Sequence, residues 1–127
     1  MPDQSKGKLI FIIDQNSIVG LDLQTALEKN EYRVKKFNTI EKAGESFQQR
    51  KPDFIIADSE IQKHPDFESM KTAFAKERTP LICISTKENR QTIQICESIN
   101  LVSIFEKPFN SSELIETVNS YLCSKND

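Results

Sequence analysis

"KLIFIID", residues 8–14, reads as a strand covered on both faces: Leu9 to Ile13 are apolar without a break, so neither side is left for water. The run stops at Asp14 and Gln15, a carboxylate and an amide brought to the tip of a core element. Three further stretches end in a similar way. "PDFIIAD" (52–58) closes on Asp58, "PLICIS" (80–85) on Ser85, and "LVSIFEK" (101–107) on Lys107 just before Pro108. "YRVKKF" (32–37) is a shorter and more polar strand.

Between these strands the apolar spacing lengthens to that of a helix. Val19, Leu23, Ala26 and Leu27 mark one face of a helix ending near Asn30. Ile40, Ala43, Gly44 and Phe47 mark a second, opened by a capping box of Asn38 and Glu41. Phe67, Met70 and Phe74 line a third, and Ile95 and Ile99 a fourth over 88–100. Asn110 and Glu113 form another capping box, opening a last helix with Leu114, Ile115, Val118 and Leu122 inward. Strands alternating with helices predict an α/β fold: a five-stranded parallel sheet, doubly wound as (βα)5, with right-handed crossovers and helices on both faces. The first strand, being the most continuously apolar, is expected at the centre.

Composition bounds the rest. A chain of 127 residues fits a single domain, 1–127 with its core over about 8–123, and buries roughly two thirds of its surface without metal or disulfide. Acids and bases are interleaved and the net charge is −2, so there is no basic stripe for nucleic acid. Cys83, Cys96 and Cys123 lack CxxC spacing and read as reduced, structural thiols of a cytoplasmic protein. No apolar stretch approaches the ~18 residues of a membrane span, and the polar start "MPDQSKGK" lacks a signal-peptide core. The expectation is a cytoplasmic chain with no membrane partner. With Gly7, Gly20 and Gly44 alone, neither a P-loop nor a GxGxxG turn can be built. The lone histidine, His64, sits in a polar loop, so a small hydrolase or redox protein of this architecture has neither a nucleophile–base pair nor a cofactor signature.

In open α/β sheets, ligands bind beyond the carboxyl ends of the strands. There the strands deliver Asp14 and Gln15; Asp58, then Ser59 and Glu60; Ser85 and Thr86; and Lys107. Such a set suits phosphoryl transfer to a carboxylate. Hard oxygens hold Mg²⁺, a carboxylate accepts the phosphoryl group, and a hydroxyl and an ammonium grip its oxygens.

In their order and spacing, "IFIIDQN", "PDFIIADSEI", "PLICIST" and "FEKPF" resemble the receiver domain of two-component response regulators, over roughly residues 8–123. The resemblance implies a flavodoxin-like fold with Asp58 as phospho-acceptor, served by a histidine kinase or phosphotransfer protein. It implies Ser85 as the switch hydroxyl and Lys107 as the ion-pairing lysine, with a cis Lys107-Pro108 peptide. Mg²⁺ would be held by Asp14, Asp58 and the backbone carbonyl of Glu60. Such a chain is a signalling phosphoprotein in a phosphorelay rather than an enzyme, at most catalysing its own phosphorylation and dephosphorylation. Its output is a contact with a downstream protein or a homodimer.

Several positions depart from the family pattern. Gln15 stands where a second metal-binding acid is usual; losing a unit charge there costs on the order of 4 kcal/mol at a dielectric of ~20, so Mg²⁺ is expected to bind weakly. Ile104 occupies the aromatic switch position, while Phe105, one residue later, should face the other side of the sheet. Gln62-Lys63 replaces the usual Met-Pro. Glu60 and Lys87, each two residues beyond a site residue, are candidates for tuning the rates, by bridging to each other or by Glu60 supplying the charge missing at Gln15. The alternative reading is a pseudo-receiver, an interaction module independent of phosphate. Gln15 and Ile104 favour it; Asp58, Ser85 and Lys107 oppose it.

Overall fold

The computed structural model describes residues 7–14, 17–85 and 100–124. Gln15, Thr86, Lys87 and, of the helix expected over 88–100, residues 88–99 lie outside the described residues. The strands are β1 (Leu9–Ile13), β2 (Arg33–Phe37), β3 (Phe54–Asp58), β4 (Leu81–Ser85) and β5 (Leu101–Glu106). The helices are α1 (Ser17–Lys29), α2 (Ile40–Gln49), α3 (Phe67–Lys76) and α4 (Ser111–Ser124), with a 3-10 helix over Ser59–Lys63. All strands are parallel in one five-stranded sheet, in the order β2-β1-β3-β4-β5.

The middle strand is therefore β3, with β1 beside it. Every residue of both strands is buried, so apolar continuity cannot rank them; the crossover that carries β2 to the far side of β1 does. Edge strand β2 exposes Arg33, Lys35 and Lys36, charges that keep a strand edge from pairing with another chain.

Alternation along each strand divides the core into two clusters. Leu9, Phe11 and Ile13 face Ile40, Phe47, Phe67 and Phe74 of α2 and α3. Ile10 and Ile12 face Leu23 and Leu27 of α1 and Leu114 and Val118 of α4. Gly44 lets α2 and α3 close together: a Cβ there would come 2.6 Å from Met70 Sδ.

Two helix starts resolve differently. Asn110 caps α4, its Oδ1 accepting from Ser112 N at 2.8 Å and Glu113 N at 3.3 Å. At α2 the cap is Thr39, not Asn38: Thr39 Oγ1 accepts from Lys42 N at 3.2 Å. Ile40 is drawn into the core as the first helical residue, which moves the cap to the residue just before it. The third helical position is then Lys42, so no capping box forms.

Beyond Leu81↔Leu101 the pairing jumps to Ile82↔Ser103, leaving Val102 as an extra residue in β5. This irregularity breaks the period of two. Leu101 and Ile104 both face the α2–α3 cluster, and Val102 and Phe105 both face the α1–α4 cluster.

Candidate functional site

Asp58 ends β3 and caps the 3-10 helix, its Oδ1 accepting from Glu60 N at 2.8 Å. Its Oδ2 accepts from Lys107 Nζ at 2.8 Å. Lys107 reaches this point because its own N–H donates to Ser85 O at 2.8 Å, carrying the β4–β5 ladder one residue further; a cis peptide to Pro108 then turns the chain away. Asp14 likewise extends β1, donating its N–H to Phe37 O at 2.9 Å, and is only 4% exposed. By strand parity Asp14 follows Ile10 and Ile12, Asp58 follows Phe54 and Ile56, and Lys107 follows Phe105, so all three lie on the α1–α4 side of the sheet.

Burial opposes the Lys107 ammonium. The hydrogen bond to Asp58 and the charges of Asp58, Asp14 and Glu60 outweigh that opposition and hold its pKa above the ordinary lysine value. Two buried carboxylates against one ammonium leave these three groups with a net negative charge. That balance, with hard carboxylate oxygens at the sheet edge, fits a divalent cation, for which Asp14 and Asp58 could serve as ligands.

Ser85 ends β4 on the opposite parity, following Leu81 and Cys83 of the α2–α3 cluster. Its hydroxyl and that of Ser59 are buried without a hydrogen-bond partner among the described residues. Ser59, which the sequence places at this edge without a role, is 1% exposed and follows Asp58 directly. The pairing Asp58↔Ile84 places Ser59 and Ser85 at the next step along their two chains. A buried hydroxyl with no partner costs roughly 1–3 kcal/mol, which an incoming acceptor would recover.

Glu60 Oε2 lies 3.1 Å from Lys63 Nζ, a pairing that the i,i+3 spacing could have revealed. Ile104 packs against the α2–α3 cluster, while Phe105 faces the α1–α4 cluster and meets Phe109 edge-to-face with ring centroids 6.3 Å apart. His64 is half-buried, its Nδ1 accepting from Asp66 N at 3.0 Å, which ties the loop before α3 together. No described helix is long and apolar enough to cross a membrane.

A parallel doubly wound sheet with two carboxylates and a lysine gathered at its carboxyl edge is the arrangement that the receiver resemblance implied. The chain matches the family described as the response regulator receiver domain over residues 10–119, and it belongs to that family. It is 21% identical over 113 residues to the sensory transduction protein BceR of Halalkalibacterium halodurans, which covers 89% of this chain and 49% of that protein. The chain thus spans about half the length of that curated relative.

Among solved structures it resembles the non-phosphorylated HemR receiver domain of Leptospira biflexa, with 19% identity, a TM-score of 0.75, and 91% and 94% of the two chains covered. A response regulator receiver protein of Sinorhizobium medicae is 22% identical with a TM-score of 0.78, covering 95% and 98%. The receiver domain of the sensor histidine kinase PA1611 of Pseudomonas aeruginosa, solved with magnesium coordinated in its active-site cleft, is 19% identical with a TM-score of 0.75, covering 91% and 98%. At these identities the likeness speaks to the fold.

Proposed function

We propose that this receiver domain accepts a phosphoryl group on Asp58 from a histidine kinase or phosphotransfer protein and signals through a changed protein-binding face. The observation that carries the reading is the 2.8 Å contact of Lys107 Nζ with Asp58 Oδ2, beside buried Asp14 at the carboxyl edge of the sheet. An oxygen of Asp58 would bond to phosphorus as the P–N bond of a phosphohistidine breaks, leaving an acyl phosphate. Lys107 would follow the negative charge from the carboxylate to the phosphoryl oxygens, and Ser85 would give its buried hydroxyl to one of them. Asp14, Asp58 and the Glu60 carbonyl would hold Mg²⁺, which when bound neutralises part of the phosphoryl charge. The chain acts as a phospho-acceptor that speeds its own modification rather than as an enzyme on other substrates.

The test is intact mass after incubation with acetyl phosphate, with and without Mg²⁺, on the wild type and on Asp58→Asn. A Mg²⁺-dependent phosphoryl adduct that the variant lacks supports the reading. No adduct at any Mg²⁺ concentration, from acetyl phosphate or a phosphohistidine donor, leaves the pseudo-receiver. That second reading draws on Gln15 in place of an acid and on aliphatic Ile104 packed against the core.

A further inference from the structure

The one histidine of the chain meets two carboxylates in space. His64 ends the 3-10 helix that Asp58 begins, its N–H donating to Ile61 O at 3.1 Å. Asp66 follows at the N-cap position of α3, where its side chain makes no capping hydrogen bond. Glu41, in the first turn of α2, reaches them from another part of the chain. Each of the three offers one ligand atom, and these atoms all lie within 4.8 Å of one another. His64 is half-buried, while Glu41 and Asp66 are exposed. The adjacent Lys63 has its own partner, Glu60 Oε2 at 3.1 Å.

We propose that Glu41, His64 and Asp66 form a second metal site, one that takes a divalent transition ion such as Zn²⁺. The imidazole decides the class of ion. Mg²⁺ and Ca²⁺ take oxygen ligands, whereas an imidazole set with carboxylates suits zinc and its neighbours. His64 Nδ1 accepts from Asp66 N at 3.0 Å, so it carries a lone pair rather than a proton, as a metal ligand must. The same Nδ1 lies 3.9 Å from Asp66 Oδ2. Ligand atoms on a tetrahedral Zn²⁺ sit roughly 3.4 Å apart, so this gap has to close by only about 0.5 Å. Exposed Asp66 and Glu41 can rotate that far without disturbing the core, and the Asp66 N–H exchanges the imidazole for water. A fourth position is left to a water molecule. Once bound, the ion ties the first turn of α2 to the loop before α3. It thereby fixes the far end of the short helix that Asp58 caps. The residues are separate from those at the sheet edge, and the inference does not rest on the phospho-acceptor reading.

The test titrates the full, unphosphorylated chain with Zn²⁺ in excess Mg²⁺, which competes for the oxygen ligands at the sheet edge. Calorimetry measures affinity and stoichiometry, and NMR of the imidazole nitrogens and backbone amides locates the ion. One Zn²⁺ per chain is expected, with a displaced Nδ1 resonance and amide shifts around Glu41, His64 and Asp66. His64→Ala is expected to weaken binding at least about tenfold, since loss of an outer-shell partner alone costs that much. Glu41→Gln removes one charge at an exposed position that folding does not need, and is expected to weaken binding several-fold. It keeps the test decisive should His64→Ala disturb the loop. Asp58→Asn is expected to leave the Zn²⁺ affinity unchanged. No saturable binding, an affinity unmoved by His64→Ala or by Glu41→Gln, loss of binding in folded Asp58→Asn, or shifts confined to another face would overturn the proposal.

Discussion

Lys107 Nζ lies 2.8 Å from Asp58 Oδ2, a contact between residues 49 apart in sequence that closes the carboxyl edge of the sheet. With 9% of the Asp58 side chain and 25% of the Lys107 side chain exposed, removing the cation takes from Asp58 Oδ2 the ammonium that donates to it at 2.8 Å. Lys107→Ala is therefore expected to lower stability by about 2 kcal/mol, below the full cost of breaking a buried pair because Lys107 keeps some contact with water. Urea unfolding measures this, and an unchanged midpoint would refute it.

The same contact sets a pH dependence. The folded pKa of Lys107 is raised because the partner carboxylates outweigh burial, so its stabilising contribution is fully present below the ordinary lysine value and is lost as pH rises through the raised one. Lys107 thus adds no slope to stability around neutral pH. In metal-free buffer, NMR titration of the side chain should place its pKa above that of an exposed lysine. Asp58→Asn should move it down, since burial remains and the hydrogen-bonded carboxylate is gone; a value that stays put would contradict this balance.

Metal removal gives a separate reading of the acids. If Mg²⁺ binds the folded chain alone, a concentration ten times its dissociation constant adds about 1.4 kcal/mol to stability. Thermal unfolding should show a Mg²⁺-dependent rise that EDTA reverses and that Asp14→Asn and Asp58→Asn each abolish. A rise that survives both changes would place the ion elsewhere.

The α2 cap separates two adjacent residues. Thr39→Ala removes the acceptor for Lys42 N and should cost about 1 kcal/mol, whereas Asn38→Ala should be close to neutral. Equal costs in chemical denaturation would mean that Asn38 shares the capping.

Phe105 and Phe109 should be coupled. Each alanine substitution removes part of a half-buried aromatic surface, and a double-mutant cycle should return a coupling of about 0.5–1 kcal/mol from their edge-to-face contact. Additive losses would show that each ring packs independently of the other.

The sequence by itself determined the element order, the parallel sheet and the identity of the groups at its carboxyl edge. Burial on both faces forces strands such as "LIFII" and "FIIAD" to be apolar throughout, and a polar residue at the end of such a run has no place except the sheet edge. The opposite facing of Ile104 and Phe105 was legible for the same reason, since neighbouring strand residues alternate. Only the tertiary structure decided what depends on packing between elements. The central place of β3 follows from a crossover, and the cap at Thr39 from the pull of Ile40 into the core. The extra residue at Val102 is a matter of register between two strands. No local pattern announces it, because register is set by the partner strand rather than by the chain's own period.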